Sequence, residues 1–186
     1  MELKVAEYND FDAIAQLHTR SWQKYYQGIL KQDYLDDEIL NERRAIWQTR
    51  LTNPPFNQHI LMMLDKGNLC GFICVFGHHD FEKGSMVDAL HVDPQYQHRG
   101  VATALLKGVS EWLEQFFADS GIYLEVLVKN RQAVAFYQHI RGNCVENRKW
   151  VAPCGTEVDE AIYCWESPKQ LLLELETHHA HSLNTL

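Results

Sequence analysis

Apolar positions recur along this chain in two alternating periods, and the alternation predicts a mixed α/β fold. Leu3 and Val5 make a short first strand. The polar pair Asn9-Asp10 ends it, and either residue suits a helix N-cap. Phe11, Ile14, Ala15, Leu17, His18, Trp22 and Tyr25 then fall at helical spacing, the stripe of an amphipathic helix that Gly28 stops. A second helix is predicted over 33–51, with Leu35, Ile39, Leu40, Ile46 and Trp47 facing inward and Asn53-Pro54-Pro55 breaking it. The runs 59–64 and 69–76 read as strands of a hairpin turned by Asp65-Lys66-Gly67-Asn68. Residues 77–84, rich in histidine and acidic side chains, read as a surface loop.

The next stretch organises the rest. Residues 86–92 read as a strand, and Asp93-Pro94 ends it, because proline has no ladder donor and restricts its predecessor. A loop over 95–100 follows. From there Val101, Leu105, Val109, Trp112 and Phe116 mark one face of a long helix. A glycine at a strand-to-helix turn lets backbone N–H groups crowd toward an anion at the positive end of the helix. The run 121–128 is nearly all apolar and predicts a central strand covered on both faces. Asn130 opens a short helix carrying Ala133, Val134, Phe136, Tyr137 and Ile140. Residues 144–151 and 158–165 read as two strands around Pro153-Cys154-Gly155-Thr156. After Ser167, Leu171, Leu172, Leu173 and Leu175 predict a short helix before a polar, frayed end. The order β-α-α-β-β-β-α-β-α-β-β gives a mixed sheet with helices on both faces. We read one domain over 1–166 and a tail over 167–186.

Composition narrows the function classes. A chain of 186 residues, 46% apolar and 23% charged, suits one domain with a real core. A net charge of −8 argues against a general nucleic-acid binder, which needs a basic surface. No run of about twenty apolar residues predicts a membrane span. The start, Met1-Glu2-Leu3-Lys4, lacks a signal-peptide layout. The five cysteines, Cys70, Cys74, Cys144, Cys154 and Cys164, sit in apolar strand-like text and are read as reduced and buried in a cytoplasmic protein. Cys70 and Cys74 are expected on one face of a strand, a core setting. His78-His79 and the tail histidines His178, His179 and His181 have no Cys or carboxylate partner at metal-ligand spacing, so no metal is expected.

Two motifs carry a resemblance. The run Gln97-His98-Arg99-Gly100-Val101-Ala102 resembles the Q/R-x-x-G-x-G/A signature of the GNAT superfamily of acetyl-CoA-dependent N-acetyltransferases. Downstream, the strand ending in Val128 and the run Asn130-Arg131-Gln132-Ala133-Val134-Ala135-Phe136-Tyr137 resemble that family's strand followed by N-x-x-A-x-x-F-Y on a helix. Two motifs in the right order and context are more specific than either alone. The likeness in element order covers about residues 1–166. One departure is Arg141-Gly142-Asn143-Cys144, where the family often has a Gly-Phe pair.

The resemblance implies a mostly antiparallel sheet of roughly six or seven strands. The strand before the glycine loop and the next strand splay apart there, and acetyl-CoA, the co-substrate, lies in the gap. It implies that the N–H groups of His98, Arg99, Gly100, Val101, Ala102 and Thr103 hold the pyrophosphate. Arg99 either adds charge or is a solvated loop residue. Leu90, His91 and Val92 offer backbone groups to the acetyl end, where an N–H polarises the thioester carbonyl and stabilises the oxyanion. Asn130 contacts the coenzyme A arm, a role compatible with capping its helix. Tyr137 is the general acid that protonates the departing thiolate, although a Phe-Tyr pair on a helix is ordinarily core.

The base has two candidates. Glu125 lies inside the run Ile122-Tyr123-Leu124-Glu125-Val126-Leu127, where a carboxylate is costly to bury. It is either a general base with its pKa raised by apolar surroundings, acting directly or through water, or a solvated or paired group at a splay. Asp88 is the rival. Alternation puts it on the face of Leu90 and Val92 unless a bulge breaks the parity. The side chain of His91 alternates away. The reaction implied is direct attack by an amine, with no covalent enzyme intermediate. The alternative is a non-catalytic acyl-CoA-binding module on the same fold. Residues 21–30 resemble an S-W-x-x-x-Y-x-G-I-L stretch of many bacterial GNAT enzymes, and Trp22, Tyr25 and Tyr26 would line the acceptor site. Nearby Asp33, Asp36, Asp37 and Glu38 suit a cationic acceptor, or only a helix start that favours carboxylates. The acceptor is a small-molecule amine, such as a polyamine, or a protein amine, a lysine side chain or an N-terminus. The protein is expected as a monomer or homodimer.

Overall fold

A computed structural model describes residues 1–183, with side chains described through Thr177. The expected frayed end beyond 183, and the side chains of the histidines at 178, 179 and 181, lie outside what is described. The elements run β1 (Glu2–Val5), α1 (Phe11–Tyr25), α2 (Ile39–Thr52), β2 (Gln58–Asp65), β3 (Asn68–Asp80), β4 (Gly84–Val92), α3 (Val101–Phe116), β5 (Ile122–Leu127), α4 (Arg131–His139), β6 (Asn143–Val151), β7 (Glu157–Trp165) and α5 (Pro168–Leu183). The seven strands form one sheet in the order β1-β2-β3-β4-β5-β7-β6. Every pair is antiparallel except β4–β5.

Each face of the sheet buries its own cluster. α3, α4 and α5 cover Ile73, Val75, Val87, Leu124 and Val126. α1 and α2 cover Ile60, Met62, Phe72, Cys74 and Ala89 on the other face. The β2–β3 hairpin turns at Lys66 and Gly67, whose φ angles of 51° and 81° give the two left-handed residues that a tight hairpin turn needs. α5 seats Leu171 and Leu175 in the same cluster as α3.

Local irregularities displace several expected residues. β3 runs on to Asp80, so most of the expected loop over 77–84 is strand, and the Asp80 carboxylate accepts from the Glu82 and Lys83 N–H groups of a short turn. Before α2, a wide helical turn over Tyr34–Glu38 shifts the phase. The buried stripe becomes Ile39, Arg43, Trp47 and Leu51, while Leu40 and Ile46 fall to its sides. Asp10 does not cap α1 through its side chain, which accepts instead from the Glu7 N–H and pairs with Lys4. α3 ends at Phe116, which is exposed, and Phe117 beyond it enters the core. Between Gly71 and Leu69, opposite Met63 and Leu64, Cys70 is an extra residue. That bulge sends Cys70 and Cys74 to opposite faces, against the expected shared face. All five cysteines are free; Cys70 and Cys74 are buried, but Cys144, on the edge strand β6, is exposed, and Cys154 and Cys164 are half-buried.

Candidate active site

The site begins where two parallel strands part. β4 and β5 pair only through Ser85–Ile122, Met86–Tyr123 and Val87–Leu124. Beyond that point no pairing joins 88–92 to 125–127, so a wedge opens in the middle of the sheet. A bulge adds to it. Ala89 pairs with Cys74 and Val87 with Val75, which leaves Asp88 as an extra residue in β4. The bulge flips the alternation, with Val87 in the α3-side cluster and Ala89 in the α2-side cluster. Asp88 therefore does not share a face with Leu90 and Val92, which pack on the α3 side. It turns toward α2, where Arg50 Nη1 and Nη2 both donate to it, Nη2 at 3.1 Å.

The wedge is one cavity of about 860 Å³. Asp88, Leu90, His91, Val92, the run from His98 to Thr103, Glu125, Asn130 and Tyr137 all line it, as do Trp22, Tyr25 and Tyr26 of the α1 exit. On the α3 side the glycine turn forms its end. His98 and Gly100 have φ angles of 59° and 77°, so left-handed residues alternate through the turn, a backbone form that gathers successive N–H groups on one side. The Ala104 N–H donates to the Gly100 carbonyl as the first bond of α3, leaving the N–H groups of Val101, Ala102 and Thr103 without an intrahelical acceptor. Gln97 ties this turn to α1 by donating to the Tyr25 hydroxyl. Arg99 is exposed and lies over the Tyr96 ring, 5.3 Å from its centroid.

Across the wedge, the Asn130 side chain accepts from the Ala133 N–H at 3.3 Å and caps α4. That side chain also hydrogen-bonds Tyr26, whose phenol is pushed up to about 12 mainly by burial. Tyr137 is buried against Phe136, Tyr163 and Trp165. Burial raises its phenol well above the ordinary value, and the Tyr26 phenol adds to the shift.

Glu125 is not enclosed by apolar side chains. Arg148 of β6 donates to it at 2.6 Å and to Glu160 of β7 at 2.9 Å. The pairing register explains the cluster. Arg148 stands opposite Glu160, and Glu125 stands diagonal to Glu160 on the same face. Glu160 is buried, and its carboxyl is pushed above the usual range by burial and by the Glu125 charge, against the pull of Arg148. With both carboxylates ionised, two negative charges share one guanidinium at the cavity wall.

His91 turns to α1, as alternation predicts. Its Nδ1 lies 2.8 Å from the Ser21 hydroxyl, and its ring is 4.3 Å from that of His18. Burial, with help from the Arg43 charge, lowers His91 to about 3. His18 is lowered too, mainly by burial, and its Nδ1 accepts from Trp47 Nε1 at 3.1 Å, so the proton of the neutral ring is on Nε2. The pair lines the cavity as neutral imidazoles. Among the described residues, no group of three His, Cys, Asp or Glu side chains is arranged to hold a metal.

Comparison with known proteins fits this geometry. The acetyltransferase (GNAT) family description matches residues 11–142, which include both motifs and the parting strands β4 and β5, though not Trp150, Pro153 and Glu160 of the cavity wall. The chain belongs to the GNAT acetyltransferase family. It is 26% identical over 137 residues to the L-amino acid N-acetyltransferase AaaT of Escherichia coli (strain K12), covering 73% of this chain and 78% of that enzyme. The fold matches the PaiA N-acetyltransferase from Thermoplasma acidophilum in complex with coenzyme A, with TM-score 0.64, 16% identity, and coverage of 86% of this chain and 98% of that one. It also matches the spermidine N-acetyltransferase SpeG from Vibrio cholerae, with TM-score 0.64, 16% identity, and coverage of 92% and 98%. This GNAT protein is an acetyltransferase that uses acetyl-CoA. Its residues fit that donor: an open wedge in the sheet, and lining the same cavity a helix start whose first N–H groups have no intrahelical acceptor. No helix among the described residues is long and apolar enough to cross a membrane.

Reading the chain alone found Arg99 but missed Arg43, Arg50 and Arg148. Arg43 had a signal, since it sits at the centre of a four-residue stripe with Ile39, Trp47 and Leu51. Arg50 and Arg148 had none, because their partners depend on a bulge and on strand register.

Proposed function

We propose that this GNAT enzyme acetylates a primary amine by direct attack on the thioester, with Glu125 as the base and Tyr137 as the acid. Glu125 takes the proton that the acceptor ammonium must lose, directly or through a water, before the nitrogen lone pair attacks the thioester carbon, and the second proton that nitrogen sheds after attack replaces the one Tyr137 gives up. The backbone N–H groups along Leu90, His91 and Val92 stabilise the negative charge that develops on the carbonyl oxygen. Tyr137 gives its proton to sulfur as the C–S bond breaks. Burial keeps that phenol protonated across the neutral range, and the same burial raises the proton affinity of a thiolate beside it. Asn130 and the turn from His98 to Thr103 hold the donor, the turn by its pyrophosphate, leaving Arg99 to add charge at the rim.

The observation that carries this reading is the wedge itself. A carboxylate of β5 and a buried phenol of α4 line one cavity, where β4 and β5 have parted. Asp88 is the second candidate for the base, but both of its oxygens are engaged by Arg50. The Escherichia coli relative is named for L-amino acids and the Vibrio cholerae neighbour for spermidine. A primary amine is what those two acceptors have in common. The test is release of free thiol from acetyl-CoA over a panel of amines, with the acetylated product confirmed by mass. Silence across amino acids, polyamines and peptides would favour the acyl-CoA-binding module instead.

A further inference from the structure

One charge at the cavity has no role in that chemistry. Arg43 occupies a core position of α2, with its side chain only 8% exposed. Its guanidinium stacks over Trp22, 4.5 Å from the ring centroid, and lines the cavity. Among the described residues its one carboxylate partner is Glu42, which also accepts from the Tyr34 hydroxyl at 2.6 Å. The Arg43 Nε–H is buried with no acceptor. That nitrogen is enclosed by protein, so a ligand in the cavity meets the guanidinium through its Nη groups.

The surroundings say what sign that ligand has. Arg50 is satisfied by Asp88, and Arg148 by Glu125 and Glu160. With both carboxylates ionised the β5–β7 wall keeps one negative charge in excess, while on the α2 wall Arg43 lines the cavity and its counter-ion Glu42 does not. Tyr26 lines the same cavity as Arg43 and Glu160. An acceptor with an ammonium group alone would answer only the first wall. A polyamine would also bring a second ammonium toward Arg43.

We propose that Arg43 binds a carboxylate of the acceptor, so that the acceptor is a free amino acid or a similar zwitterion, with its amine on the side of Glu125 and Glu160. This rests on the amine-acetylating reading above. A guanidinium donates two parallel hydrogen bonds to a carboxylate, and a carboxamide cannot match that pairing or its charge.

The test compares thiol release for each of the common L-amino acids with its carboxamide and its decarboxylated amine, and for spermidine. The free acid is expected to exceed its carboxamide by about tenfold to a hundredfold in kcat/KM, mainly through KM. In Arg43→Gln the acid-to-carboxamide ratio is expected to fall toward one. Arg43→Lys, which keeps the charge but not the fork, is expected in between. Carboxamides or spermidine reacting as well as the acids in the wild-type enzyme would overturn the proposal while leaving amine acetylation intact, whatever the folding of the variants. Silence on every amine would overturn both.

Discussion

Glu125→Gln separates a base from a structural ion pair, because the structure makes the two roles differ in size. Glu125 is 23% exposed and its partner Arg148 is 37% exposed. A pair so open to water contributes about 0.2–1 kcal/mol to stability. Arg148 also keeps its bond to Glu160 after the change. Removing the Glu125 charge takes away one of the influences that raise the Glu160 carboxyl, so the remaining pair becomes a matched one. The fold should lose no more than about 1 kcal/mol, about the scale of an exposed pair. Loss of a general base, by contrast, lowers turnover by about 10²–10⁴, equivalent to about 3–5 kcal/mol of barrier. The assay is thiol release at saturating acetyl-CoA and amine, with urea unfolding of the same samples. A second signature follows from the chemistry. Raising the pH supplies unprotonated amine without help from the protein, so the variant should recover toward the wild-type rate as the pH approaches the amine's own pKa. Turnover within about threefold of wild type, with no altered pH profile, would refute Glu125 as the base and return the role to Asp88 or to solvent.

The imidazoles of His18 and His91 are lowered in the fold, His91 to about 3 from an ordinary 6.5, so between those values the unfolded chain binds protons that the native state refuses. Stability should therefore fall as the pH drops through about 6.5, and a flat urea midpoint from about pH 7.5 to about pH 5.5 would contradict the buried neutral pair. Gly100→Ala adds a methyl that meets no atom within 4 Å, so its cost is the left-handed φ of 77°, about 1–2 kcal/mol. Because that turn gathers the N–H groups, KM for acetyl-CoA should rise more than kcat falls, and an unchanged KM would remove the turn from the phosphate site.

The two motifs were legible because each is local. A strand, a left-handed glycine and the free N–H groups of a helix start lie within a few residues, and nothing distant decides them. Asn130 and Tyr137 are similar, fixed by a cap and by spacing along one short helix. What escaped the sequence was set by registers that one extra residue changes. The bulge at Asp88 turned a presumed neighbour of Leu90 toward α2 and into the grip of Arg50. The bulge at Cys70 split two cysteines between faces, and the wide turn at Tyr34–Glu38 rotated Arg43 into the core stripe. Glu125 stands out in apolar text, but its partner Arg148 lies across a strand whose pairing only the folded sheet defines.

The central claim, a wedge that transfers acetyl with Tyr137 as the acid, is tested most directly by Tyr137→Phe. The change removes one hydroxyl and leaves the ring against Tyr163 and Trp165. Turnover should fall by about 10²–10⁴, the range for a positioned acid, while the dissociation constant for acetyl-CoA, measured by calorimetry, should change little. Intact turnover, or a loss of rate matched by an equal loss of acetyl-CoA affinity, would contradict the account.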